Sequence, residues 1–287
     1  MDVMHAAEMP WGESLVAQRE GGADVGHKRL FEGEEGSPDH YMLVMSREPR
    51  SFFSPRHRHP WDQIRFCLQG KVPIAKGLYV EAGEIGYFPE SAYYGPQEGG
   101  EDRIVVLLQF GGASGHGFIG PDRVKQARLE LAKEGDFEGG VYRRDTTQGR
   151  RNRDAYEAIW LHVMGGELSY APPAYKSPIV MRPQALPWLR TPAAGVSSKH
   201  IGVFPHRGLT LNAWRIEPGA RHVIPGVAAL RFLFVTDGTG SSGAQELHRW
   251  SVARLQPGEA AELIATSRLE VMELAVRSIR DLRAERH

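Results

Sequence analysis

SPRHRHPWDQIRFCLQG, residues 54–70, places His57 and His59 on alternate positions and follows them with Gln63, Arg65, Cys67 and Gly70. In a strand, successive side chains point to opposite faces, so the two imidazoles share a face about 6 to 7 Å apart while Arg56 and Arg58 take the other. Two neutral imidazoles at that separation can share one Fe, Ni, Cu, Zn or Mn ion, and an open site needs one or two further ligands from neighbouring strands. Gln63 and Tyr94 are the oxygen-bearing candidates. With 12 histidines in the chain, the same H-x-H is also compatible with two solvated rings on an exposed strand.

The 287 residues suit two domains better than one. Lys plus Arg and Asp plus Glu each number 35, so no overall field gathers nucleic acid or anionic membrane. No helix-turn-helix and no basic stripe is visible, and no run of about 20 apolar residues could cross a bilayer. Neither nucleic acid nor membrane is an expected partner. The single cysteine, Cys67, cannot form an internal disulfide, and the N-terminus lacks the apolar core of a signal peptide, which makes the cytoplasm the expected location. Thirty-three Gly and 19 Pro suit many short strands joined by tight turns.

Along the chain, residues 1–25 carry breakers and no sustained period and are expected to be a flexible lead-in. Within 26–118, YMLVMS, WDQIRFCLQG, GEIGYFP and DRIVVLLQF are strand-like runs separated by turn residues, which predicts an antiparallel sandwich or barrel. Residues 119–196 read as a linker with two helices and a proline-rich extended stretch. The first helix begins at Pro121, has Val124, Ala127, Leu129 and Leu131 as its stripe, and has Gly135 at its cap; the second is closed by Gly165 and Gly166. Strand texture resumes over 197–287. FCLQG with AGEIGYFP in the first half corresponds to LFVTDG with PGEAAELI in the second, a pattern that suggests duplication or shared strand-turn-strand grammar.

These residues resemble the cupin superfamily, in particular its two-domain members. Its first motif, G-x5-H-x-H-x3,4-E-x6-G, is met by His57, His59, Gln63 and Gly70, with Ser51 at the opening glycine. Its second, G-x5-P-x-G-x2-H-x3-N, is met by Gly83 and Pro89, with Ser91, Tyr94 and Glu98 in the remaining slots. The resemblance covers most of residues 40 to 112. It implies a mainly β chain: two antiparallel jelly-roll barrels joined by a helical linker, with a metal near the middle of the first. Gln63 replaces the family's Glu and Tyr94 its final His. An amide oxygen donates more weakly than a carboxylate, and a phenol ligates well only once its proton is lost. In the second half the motif's metal slots fall on Pro225, Val227, Arg231 and Leu269, so that barrel is expected to be degenerate, with His206 and His222 structural or exposed and Arg231 at most the relic of an anion site.

The resulting expectation is a metal-dependent enzyme with His57, His59, Gln63 and Tyr94 as metal ligands and Arg65 and Tyr94 as catalytic residues. The cofactor is one divalent transition metal, Fe(II) first and Ni, Mn, Zn or Cu behind it, with open positions for a small oxygen-bearing substrate, anionic or aromatic, and O2; the resemblance implies a dioxygenase-type reaction. A metal-dependent isomerase or lyase, or a non-catalytic small-ligand-binding barrel, fits the same residues. Arg65 either meets a substrate carboxylate or phenolate or pairs with an internal acid. Asp62 is a reserve ligand, Trp61, Tyr87, Phe88 and Tyr93 read as packing, and His116 as a loop residue. A homodimer is the expected assembly.

Overall fold

In the computed structural model, which describes residues 1–15, 25–145 and 151–285, the chain is mainly β and divides into two units, Trp11–Val180 and Met1–Pro10 with Met181–His287. In the first unit the strands of the main sheet lie in the order Ile179–Met181, Ile85–Phe88, Trp61–Gln69, Arg103–Gly111, Tyr41–Glu48, Gly26–Glu32. Its centre is antiparallel, with Gln63 opposite Gln109, Arg65 opposite Leu107 and Cys67 opposite Val105. Those residues share one face, and the hairpin of Lys71–Ala75 and Leu78–Glu81 covers part of it, since Val72, Ile74 and Val80 pack with Cys67, Phe88, Tyr94 and Val105. The enclosed face is therefore the one carrying Gln63, Arg65 and Cys67. Burial pushes the Cys67 thiol up to about 12, which leaves it a small apolar side chain with no nucleophilic role.

The helices correct the linker expectation. Pro121–Leu131 starts on its proline, and Ala155–Met164 is capped by the Asp154 carboxylate and ended by Gly165 in the left-handed region. Both belong to the first unit: Val124, Ala127, Tyr156, Ile159 and Trp160 pack with Met42, Val44 and Trp61 of the sheet. Gly135 is not a cap, because the first helix ends before it and Gly135 opens the strand Gly135–Glu138; Leu129, assigned to the apolar stripe, is exposed. The helical period fitted four apolar residues, but only one side of so short a helix meets the sheet.

The other unit pairs a seven-stranded sheet, ordered Asp2–His5, Ser251–Leu255, Leu230–Asp237, Leu269–Val276, Leu209–Ile216, Val196–Phe204, Leu189–Arg190, with a four-stranded one. Ile216, Ile224, Leu233, Leu263 and Val271 fill the space between them. The first strand corrects the flexible lead-in. Asp2 pairs with Arg254 and His5 with Ser251, and the Asp2 carboxylate accepts from the Arg254 guanidinium at 2.6 Å. Local composition carries no trace of this strand because its partner is 250 residues away. The rest of the expected lead-in includes residues 16–24, which lie outside the described residues. Among the described residues no helix is long and apolar enough to cross a membrane.

The repeated glycines have a structural cause. Gly70 and Gly238, the equivalent turn positions of the two halves, have φ of +75° and +81°, and Gly83 and Gly258 have φ of +84° and +85°. At Gly238 an added Cβ would lie 1.9 Å from the Arg268 carbonyl oxygen, whereas at Gly258 it would meet nothing. Gly258→Ala is expected to cost about 1 kcal/mol through its backbone conformation alone. Gly238→Ala must also move backbone and is expected to cost about 3 kcal/mol or more, a difference that paired thermal denaturation curves will read.

Candidate metal and substrate site

The segment 54–59 lies against 94–97 through bridges between His57 and Tyr94 and between Ser54 and Gln97. This pairing carries the two histidines to the enclosed face. His57, His59, Gln63, Arg65 and Tyr94 are all buried, and the His57 and His59 ring centroids are 4.9 Å apart. His57 Nδ1 lies 2.6 Å from the Pro55 carbonyl oxygen, which can only accept, so Nδ1 carries the proton in the neutral ring and the lone pair is left on Nε2. Nε2 is 2.9 Å from the Tyr94 hydroxyl. The His59 ring stacks on Trp61 with centroids 4.2 Å apart, which gives Trp61 a place in the site beyond packing.

Arg65 organises the opposite wall. Its Nε and Nη2 both donate to Gln63 Oε1, at 3.1 and 2.8 Å, and Nη2 also donates to Tyr94 Oη at 2.8 Å. The guanidinium lies over the Phe88 ring at 4.5 Å. Among the described residues no carboxylate pairs with it, so one of the two alternatives for Arg65, an internal acid partner, is not realised there. Glu48, the acid lining the same cavity, is held by Arg103 at 2.5 Å. A buried cation with only neutral partners leaves a positive pole beside the histidines.

The cavity itself is about 110 Å³. Ile119, Pro121, Val124 and Tyr156 close it, all from the stretch expected to be linker. Gln109, Gln97 and His27 also line it and were not singled out in the sequence. Gln109 accepts a long bond from Gln63 Nε2, at 3.4 Å; its signal was available, because it continues the inward alternation of Val105 and Leu107. Asp62 is on the other face, where it accepts from the Tyr87 hydroxyl and from Glu90 N, so the reserve-ligand expectation is corrected by strand parity. His116 lies with Ser114 and Glu90 rather than in the cavity wall.

A metal ion can be tested against these donors. Among the described residues no three His, Cys, Asp or Glu side chains converge, so any ligand set must use the amide or the phenol. The nitrogens fit: His57 presents Nε2 while a carbonyl holds Nδ1, an arrangement that commonly fixes ligating histidines. Tyr94 places its oxygen 2.9 Å from His57 Nε2 while accepting from Arg65, and a phenol ligates well only once its proton is lost. Gln63 is the weakest member, because Arg65 already takes two bonds on its oxygen.

No protein-family model matches the sequence, and no curated protein matches it. Solved structures do. HEPD from Streptomyces albus, with 2-hydroxyethylphosphonate and Fe(II) bound, matches over 99% of this chain and 78% of its own at 14% identity and a TM-score of 0.61. A salicylate 1,2-dioxygenase variant from Pseudoaminobacter salicylatoxidans in complex with gentisate matches over 99% and 83% at 15% identity and a TM-score of 0.57. A provisionally assigned dioxygenase from Nostoc punctiforme matches over 96% and 82% at 10% identity and a TM-score of 0.61. At such identities the likeness shows the fold, and the fold is that of the cupins, as the two motifs implied.

His27 gives the site a measurable pH signature. Burial pushes it down to about 4, opposed by the nearby Glu48 carboxylate, and its Nδ1 accepts the Leu15 N–H at 3.1 Å. The unfolded chain binds the proton near 6.5 and the folded one near 4, so the unfolded state holds more protons between these values. Stability is therefore full above pH 6.5 and declines as pH falls toward 4, by up to about 3 kcal/mol. Urea melts of the wild type should show this slope, and His27→Gln, which keeps an acceptor for Leu15, should flatten it.

Proposed function

We propose that the barrel of the 11–180 unit is the active site of a metal-dependent oxidoreductase of dioxygenase type, acting on a small oxygen-bearing organic anion. The observation that carries this reading is one cavity lined by two histidines and by a buried guanidinium that has no acid partner among the described residues, with the Tyr94 phenol bonded to both His57 and that guanidinium. His57 and His59 would hold the metal, with Fe(II) preferred, Tyr94 would complete the set, and Gln63 would be its least tightly engaged member. When bound, such an ion supplies open coordination positions at which a small substrate and O2 can be activated together.

The chain's own residues do the rest. Arg65 offers a charge-assisted, two-pronged contact to a substrate carboxylate or phenolate and supplies the counter-charge it lacks in the fold. Its bond to Tyr94 Oη holds that oxygen beside His57 Nε2. The Pro55 carbonyl holds the His57 ring in one tautomer. Tyr156, Val124 and Ile119 give the cavity an apolar wall. A second reading, a binding barrel without turnover, is favoured by Arg65 being bonded to both candidate oxygen ligands.

Metal analysis of protein purified without chelators, followed by oxygen uptake with phenolic, catecholic and 1,3-dicarbonyl acids, separates the two. The expected result is about one ion per chain, lost in His57→Ala and His59→Ala, with uptake lost alongside it. Arg65→Met is expected to raise KM for an anionic substrate by about 10-fold to 100-fold while the metal stays bound. Anion binding with neither metal nor uptake would support the non-catalytic reading, and unchanged metal content and turnover in His57→Ala would remove the site assignment altogether.

A further inference from the structure

In the 181–287 stretch Arg231 is paired with Glu273 and donates to the Glu259 carbonyl, so the relic anion site suggested for it is already filled by the protein. A cluster with open chemistry lies instead in the 11–180 unit, outside the wall of the His57 cavity. It is built on GGASGHGF, residues 111–118.

This stretch is a tight turn. Gly112 N donates to the His116 carbonyl at 3.1 Å, Gly115 N donates to the Gly112 carbonyl at 2.9 Å, and Gly115 has φ of +79°. A Cβ at position 112 would lie 2.2 Å from Glu90 Oε2, so the bare glycine leaves room for the buried Glu90 carboxylate. That carboxylate accepts the Ser114 N–H at 2.9 Å and the Ser114 hydroxyl at 2.5 Å. The turn and the acid together fix Ser114 beside His116.

The proton positions follow from these partners. A carboxylate only accepts, so the single Ser114 hydroxyl proton lies toward Glu90, and Ser114 Oγ is left to accept from His116 Nδ1 at 2.8 Å. The neutral His116 ring thus has its proton on Nδ1 and its lone pair on Nε2. Nε2 is 3.5 Å from Ser169 Oγ, within the looser range that nucleophile and base pairs show before substrate is bound. The helix Ala155–Met164 bears on both residues: its Trp160 stands edge-on to the His116 ring with centroids 6.4 Å apart, and its left-handed Gly165 ends it four residues before Ser169. Ser169 is exposed and His116 half-buried, so a molecule in solvent reaches the hydroxyl. Anchoring of the turn explains Glu90 and Ser114. It does not explain a ring nitrogen whose lone pair meets an exposed hydroxyl.

We propose that Ser169 is a nucleophile with His116 as its general base, and that the pair takes acyl groups from small activated carboxylic esters. Ser169 Oγ bonds the ester carbonyl carbon while its proton passes to His116 Nε2; the bond from that carbon to the alkoxy oxygen then breaks, and the proton leaves with the alcohol. Water attacks the resulting serine ester, gives its proton to Nε2, and Ser169 Oγ takes that proton back as the acid departs. Ser114 is a positioning residue, acting through the tautomer of His116. The expectation that His116 is a plain loop residue is replaced by this role.

The probes are p-nitrophenyl acetate and a fluorophosphonate, which bonds serine oxygen through phosphorus and loses fluoride. In the full chain, peptide mass spectrometry is expected to find the fluorophosphonate on Ser169. His116→Gln should slow that labelling about 100-fold, and Ser169→Ala, a surface change, should reduce nitrophenolate release to the level given by free lysine side chains. Side-chain 15N shifts of His116, identified by their loss in His116→Gln, are expected to report the Nδ1–H tautomer in the wild type and a mixture in Ser114→Ala. Protein stripped with EDTA should label as the untreated protein does, which separates this site from the His57 site. Absence of label on Ser169, an equal labelling rate in His116→Gln, or unchanged release in Ser169→Ala would each overturn the proposal, and an unchanged tautomer in Ser114→Ala would overturn the role of Ser114.

Discussion

A guanidinium buried on the inner face of a sheet must be satisfied by something, and Arg65 is satisfied by an amide oxygen and a phenol where an acid would be the ordinary partner. Much of the first barrel's chemistry turns on that choice. The two bonds to Gln63 engage the amide oxygen that would otherwise be open to a ligand. The bond to Tyr94 leaves the phenol between a cation and the lone pair of His57. The chain from Arg65 through Tyr94 and His57 to the Pro55 carbonyl has a donor and an acceptor at every step, so the four groups hold one arrangement. The charge has no acid partner among the described residues, and the proposed anionic substrate would supply one.

That network needs dry surroundings, and these come from outside the strands. Tyr156, whose hydroxyl burial pushes above the ordinary tyrosine range, accepts from Ile119 N and sits against Trp61, which stacks on His59. The helix Ala155–Met164 thus bears on His59 through Tyr156 and Trp61. A stretch that reads as a connector in sequence is part of the wall of the site.

The two units share turn geometry and differ in what their inner faces carry. The glycines at 70, 83, 238 and 258 keep their positive φ in both halves because a tight turn needs it whatever the barrel contains. The inward side chains carry no such constraint. In the first unit they are His57, His59, Gln63 and Arg65; in the second, the face that carries Val196, Ile216 and Val271 also carries Ser198 and Glu273.

The strand texture, the two barrel-like halves, the glycine turns and the parity that puts His57 with His59 and Gln63 with Arg65 were all legible in the amino-acid sequence, because each is a short-range consequence of alternation and backbone sterics. The sequence also left Arg65 with two candidate partners and Asp62 with two possible faces. Only the tertiary structure decided these, since the deciding hydrogen-bond partners and strand neighbours lie 25 to 50 positions away. The same holds for the first strand, whose edge is completed by Ser251–Leu255, and for the helices that close the cavity. Long-range pairing is fixed by burial summed over the whole unit, and no local window of the chain contains that sum.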